Sequence, residues 1–213
     1  MEFNRSFDEI IKSVCDIFNK AKVDMKPIYK GSPEWDNLYD YCDNHGCPVR
    51  SGLTKFVFNL NENDNFVVKI PFVGTYYYGT HSYEGYSVNH CEEELNVYES
   101  LKDTEIGFLL VPTVFIGKVK GLELYIQPKV EAFNYEKHSP SNKSYDDAED
   151  LEWHECTADD DDAIASFVEY FGVEEAEHIL NTLDDEGVRD IHCGNFGYLN
   201  KKLVLFDYSG YHS

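Results

Sequence analysis

The stretch "VRDIHCGNFGYLNKKLVLFDYSG" runs from Val188 to Gly210. It opens with a polar loop holding Asp190 and Asn195, and ends with Asp207 in the turn "DYSG". Between them lie two short apolar runs, near 196–199 and 203–207, broken by Asn200–Lys202. Apolar runs bounded by turn residues predict a tight hairpin. A loop entering such a hairpin can aim Asp190, Asn195 and Asp207 into one cleft. Their oxygens are hard ligands, the kind magnesium prefers. A fixed carboxylate beside them suits orientation of an attacking hydroxyl.

The stretches upstream supply a sheet and a helix. "TKFVFNL" (54–60) alternates and "FVVKIPF" (66–72) follows after the turn "NENDN", which predicts a hairpin. "NHCEEELNVYESLKD" (89–103) reads as a helix. Two further strands are expected at roughly 109–118 and 121–130, joined by a turn at Lys120–Gly121. Strand, strand, helix, strand, strand implies an antiparallel sheet carrying one helix, an α+β class. A tyrosine-rich insert, Tyr76 to Tyr86, falls between the second strand and the helix. It is read as a loop or as a contact surface for another protein.

At the N-terminus, Phe7, Ile10, Ile11, Val14, Ile17 and Phe18 recur at helical spacing, with Ser6 and Glu9 as a capping box. Residues 25–50 show no clear period and are expected to be irregular. Residues 134–162 are polar and acidic and read as a linker. Two helices follow, from the aspartates at 159–162 to Gly172, and on to Gly187.

These stretches together resemble the protein-kinase-like superfamily. "DIHCGN" followed by "DYSG" looks like its catalytic loop and metal-binding loop. The wording is closer to small-molecule phosphotransferases of the aminoglycoside and choline type, and to kinase-like proteins of phages and bacteria, than to eukaryotic protein kinases. "FVVKI" resembles the strand bearing the phosphate-contacting lysine, "CEEELNVYESL" the following helix, and "LYIQPKVEAF" the hinge between lobes.

The resemblance implies a two-lobe fold and an ATP- and magnesium-dependent phosphotransferase acting on a small-molecule acceptor. It gives Asp190 the role of orienting the acceptor hydroxyl. Asn195 and Asp207 hold magnesium, and Lys69 holds the α and β phosphates. Glu94 pairs with Lys69, since Glu94, Tyr98 and Leu101 share a helical face, with Glu93 as the alternative. Gly52 belongs to the phosphate-covering loop, and the backbone near Pro128 and Val130 meets adenine. The implied division is an N-terminal extension over 1–45, an N-lobe over 46–133 and a small C-lobe over 134–213, too short for a peptide-binding platform. One departure is the glycine-poor loop "HGCPVRSGLTKFVF" (45–58), where only Gly52 sits at the hairpin turn.

Charge narrows the partners. The chain of 213 residues carries a net −22, and 17 acids with no Lys or Arg lie between Ser144 and Val188. Binding to a phosphate backbone needs clustered basic residues, so direct nucleic-acid binding is not expected. The acidic run suits a cationic acceptor or a basic protein partner. The second function reading is accordingly a catalytically weak or inactive, pseudokinase-type interaction protein, of the kind a phage could encode, holding a basic host partner through its acidic surface. No apolar run approaches the ~20 residues of a membrane span, and no secretory apolar segment is seen, so a cytoplasmic location is expected. The six cysteines are scattered and read as free thiols. Cys42, His45 and Cys47 offer three zinc ligands but lack a fourth.

Overall fold

The computed structural model describes residues 2–23, 31–47, 49–51, 54–73, 75–78, 81–84, 88–149, 151, 161–188 and 191–208. It is a mixed α+β chain with antiparallel sheets. It divides into two units. The first comprises Met1–Leu95 and Thr113–Lys129, the second Asn96–Pro112 and Val130–Ser213. The N-terminal segment belongs to the first unit, and the chain enters the second at Leu95–Asn96, returns to the first at Pro112–Thr113 and enters the second again at Lys129–Val130.

In the first unit, helix α1 (Phe7–Lys20) starts at the capping box, where the Ser6 amide donates to Glu9 Oε2 at 2.8 Å. Its stripe Ile10, Val14, Ile17 and Phe18 is buried. Helix α2 (Pro33–Asn44) corrects the irregular reading of 25–50. Ser32 Oγ accepts the Trp35 amide at 3.1 Å, and Pro33 takes the first turn, where its missing N–H costs nothing. The helix buries only Glu34, Leu38 and Cys42, too sparse a stripe for periodicity to register.

Five strands follow in one antiparallel sheet, ordered β1-β2-β3-β7-β6. They are β1 (Val49–Ser51), β2 (Lys55–Phe58), β3 (Phe66–Pro71), then β6 (Val114–Val119) and β7 (Leu122–Pro128). The tyrosine-rich segment forms a hairpin of its own, β4 (Thr75–Tyr78) with β5 (His81–Glu84). Helix α3 (His90–Leu101) follows it. Strand β6 starts later than expected because Gly107–Leu109 form a 3-10 turn and Leu110 pairs with Leu205.

Alternation gives the five-stranded sheet two unlike faces. Phe56, Phe58, Phe66, Val68, Ile70, Leu124 and Ile126 form one, buried in a common core with Ile10, Val14 and Phe18 of α1 and Leu38 of α2. Lys55, Lys69 and Gln127, at the intervening positions, lie on the other.

In the second unit, β8 (Glu131–Ala132), β9 (Phe196–Leu199) and β10 (Lys202–Leu205) form a sheet ordered β10-β9-β8. The β9–β10 turn places Asn200 and Lys201 at φ +53° and +67°, the left-handed pair of a two-residue hairpin. Gly197 is required by close approach, since a Cβ there would stand 2.3 Å from the Glu131 carbonyl oxygen.

Segment 134–162 is not only a linker. It holds α4 (Tyr135–His138) and α5 (Asn142–Glu149). Glu169 on α6 (Asp161–Phe171) secures α5, accepting the Ser141 amide at 2.6 Å and the Ser144 hydroxyl at 2.8 Å. A helix anchored by polar contacts shows no apolar stripe to read. Helix α7 (Val173–Asp185) follows α6 and ends before Gly187 at φ +73°. Ile179, Leu180 and Leu183 of α7 join Phe167, Phe196, Leu203, Leu205 and Tyr208 in the core of this unit. Among the described residues no helix is long and apolar enough to cross a membrane.

Candidate functional site

The polar face of the first unit's sheet carries a buried ionic group. Lys69 stands in the middle of β3, opposite Val57 on β2 and Tyr125 on β7. Its Nζ donates to Glu94 Oε2 at 2.7 Å. Glu94 is 0 % exposed and Lys69 3 %. The second carboxylate oxygen, Oε1, accepts from Lys55 Nζ on β2, a residue 1 % exposed. Thr113 Oγ1 also donates to Oε2, at 2.9 Å, and Gln127 Nε2 donates to Thr113 Oγ1 at 3.1 Å. One carboxylate thus gathers two ammonium groups and a hydroxyl. Burying such charges is costly unless they are paired and hydrogen-bonded, and here each partner is.

Helix α3 is held in place to present Glu94. Asn89 Oδ1 accepts the amides of Cys91 and Glu92 at 3.0 and 3.1 Å, satisfying donors at the helix start. Its Nδ2 donates to Glu123 Oε2 at 2.6 Å and to Tyr125 Oη at 2.9 Å, which ties the helix start to β7. Lys118, 2.8 Å from Glu123, holds that carboxyl below its ordinary range, and burial with the Glu123 charge pushes the Tyr125 phenol up. Glu93, the alternative partner of Lys69, instead lies 3.2 Å from His90 Nδ1.

In the second unit, backbone bonds bring Asn195 and Asp207 together. The Asn195 carbonyl accepts the Phe206 amide at 2.9 Å and the Asp207 amide at 3.4 Å. The Asn195 amide donates back to His192 O at 2.8 Å, and the Gly194 amide donates to His192 Nδ1 at 2.9 Å. Gly194 lets that ring fold over the loop, since a Cβ there would sit 2.6 Å from His192 Cε1. Asn195 is buried. Tyr208, next to Asp207, is 1 % exposed and donates its hydroxyl to Val111 O at 2.7 Å.

Asp190 and Gly52 lie outside the described residues. Pro128 closes β7 opposite Phe66, and Val130 is half-buried where the chain re-enters the second unit. The sequence reading missed Lys55, Thr113 and Gln127. Lys55 lies two residues from Val57, which pairs with Lys69, so the strand register puts both lysines on one face.

The cysteine cluster has another character. Cys42 is buried in the core, and desolvation pushes its thiol up to about 12. Cys47 Sγ donates to Leu60 O at 3.3 Å, and His45 Nδ1 meets Tyr41 O at 2.7 Å. Among the described residues no group of three or more His, Cys, Asp or Glu side chains is placed to hold a metal ion. An open pocket of about 480 Å³ in the second unit is lined by Glu131, His138, Tyr198, Asn200 and Lys201, and by none of Asn195, Asp207 or Val130.

Comparison with models of known protein families, with curated proteins and with solved structures finds no match to this chain.

Proposed function

We propose that this chain is a kinase-like phosphotransferase that uses ATP and magnesium to phosphorylate a hydroxyl of a small, cationic acceptor. The observation that carries the reading is the buried Lys69–Glu94 pair, a strand lysine aimed by a helix glutamate. Phosphoryl transfer needs little from a protein beyond positioned cations, metal-holding oxygens and a carboxylate for the incoming hydroxyl. Lys69 is assigned to the ATP phosphates. Asn195 and Asp207, linked through the Asn195 carbonyl, are assigned to magnesium; an amide oxygen and a carboxylate are donors of the right hardness. Magnesium there supplies charge neutralisation on the phosphates.

Asp190 takes the acceptor's proton as the bond from the γ-phosphorus to the β–γ bridging oxygen breaks and the bond to the acceptor oxygen forms. ADP leaves with that bridging oxygen. The first unit, an antiparallel sheet with α3, takes the part of the N-lobe, and the second unit that of the C-lobe. The acidic run between Ser144 and Val188 supplies the attraction for a cationic acceptor.

The test is a phosphoryl-transfer screen with labelled Mg-ATP against aminoglycoside, choline-like and other cationic alcohols. Wild type is expected to transfer label. Asp190→Ala should abolish turnover and keep nucleotide binding, and Asp207→Ala should lose the magnesium dependence of that binding. A wild-type protein that neither binds nor hydrolyses Mg-ATP ends the reading. A stoichiometric basic host partner, bound equally by wild type and Asp207→Ala, would then mark the chain as an interaction protein.

A further inference from the structure

The pocket of about 480 Å³ in the second unit takes no part in the proposed phosphoryl transfer. Its volume lies in the range of small-molecule sites. Strand pairing builds it. Glu131 on β8 stands opposite Tyr198 on β9, so their side chains share one face of the sheet. Asn200 and Lys201 follow at the β9–β10 turn, and the His138 ring of α4 is centred 4.5 Å from that of Tyr198.

The polar groups of this pocket are open to a ligand. Among the described residues, the Lys201 ammonium, the Asn200 amide and the Tyr198 hydroxyl have no hydrogen-bond partner. Lys201 and Asn200 are exposed, and Tyr198 is half-buried. The Asn134 amide donates to His138 Nδ1 at 3.0 Å, so the neutral ring carries its hydrogen on Nε2. Glu131 Oε1 accepts from Lys137 at 3.0 Å, which holds the carboxyl below its ordinary range and leaves Oε2 open. Lys201 sits at φ +67°, where glycine would fit with less strain, yet a lysine stands there. Tyr170 Oη donates to Lys201 O at 3.3 Å and steadies the turn.

We infer that this pocket binds a small aromatic zwitterion, an amino acid whose ring lies against Tyr198 and His138 while its carboxylate meets Lys201 and its ammonium meets Glu131. The lining carries one cation and one anion. An anion alone would face the Glu131 charge, and a cation alone that of Lys201. An apolar molecule would strip water from both. A zwitterion answers each charge with its opposite, and the two rings supply the apolar contact.

The experiment uses the full chain and follows the ring signals of Tyr198 and His138 by NMR. The probes are phenylalanine, phenethylamine, which lacks the carboxylate, and hydrocinnamate, which lacks the amine. The titrations contain no nucleotide, so they succeed or fail apart from phosphoryl transfer. Phenylalanine is expected to shift both rings saturably. Each single-charge analogue should bind about fivefold more weakly, the upper range for one exposed ion pair. Lys201→Gly should keep the hairpin at equal or higher stability, and lose about fivefold for phenylalanine but nothing for phenethylamine. Glu131→Gln should lose as much for phenylalanine and nothing for hydrocinnamate. No saturable shift up to about 10 mM phenylalanine overturns the inference. So does an analogue that binds as tightly as phenylalanine. An equal Lys201→Gly loss for phenylalanine and phenethylamine overturns it too, since the lysine would then act only through the shape of the turn.

Discussion

Glu94→Ala should lower the stability of the folded protein by about 3–5 kcal/mol, the typical cost of removing one partner from a buried ionic group. The carboxylate is fully buried and receives Lys55, Lys69 and Thr113 at once. Its removal leaves two ammonium groups facing each other without the negative charge between them. The loss is then dominated by desolvated charge, not by the missing contact itself. Glu94→Gln separates these effects. It keeps an acceptor oxygen and the side chain's volume but not the charge, so its cost should be large and below that of alanine. Lys55→Met should cost clearly less than either, because Lys69 and Glu94 remain as a matched pair. Denaturant midpoints of the three variants check the order. Near-equal losses, or a loss under about 1 kcal/mol for Glu94→Ala, would mean the lysines reach water once the carboxylate is gone.

Tyr208→Ala should cost about 3–5 kcal/mol, the range for deleting a buried aromatic ring. The ring lies in the core of the second unit with Leu205, Phe196 and Phe167. Its hydroxyl ties the chain just past β10 to Val111 O, and the Val111 amide in turn donates to Leu205 O at 2.9 Å. Tyr208→Phe removes only the hydroxyl and should cost about 1 kcal/mol. The pair of variants separates packing from hydrogen bonding. Because Tyr208 adjoins Asp207, the alanine variant should also impair whatever Asp207 does, while the phenylalanine variant should spare it. An alanine variant as stable as wild type would show that Asp207 and Tyr208 are held by backbone contacts alone.

The elements that were legible in the sequence share a physical feature: their periodicity coincides with burial. The alternation of "TKFVFNL" and "FVVKIPF" became β2 and β3, with phenylalanines, Val68 and Ile70 in the core. The Ser6–Glu9 capping box starts α1, and the turn at Lys120–Gly121 joins β6 to β7. The α3 face shared by Glu94, Tyr98 and Leu101 is buried at Glu94 and Leu101 and half-buried at Tyr98.

Helices α2 and α5 were not legible, because local caps and polar anchors form them and their apolar stripes are thin. Ser32–Pro33 was the available signal for α2, a cap followed by a first-turn proline. Lys55 escaped for a different reason. Nothing local distinguishes a strand lysine that faces solvent from one that faces a buried glutamate 39 residues away. Only the strand register, set by long-range pairing, makes that choice.

In the proposed function, Lys69, aimed by Glu94, binds the phosphates of a magnesium-complexed nucleotide. Titration calorimetry of the full chain with ATP, in magnesium and again in EDTA, tests it most directly. The prediction is saturable one-site binding in magnesium, markedly weaker in EDTA, and weakened about tenfold or more by Lys69→Met. Flat heats up to millimolar ATP, or equal binding by wild type and a folded Lys69→Met variant, would contradict it.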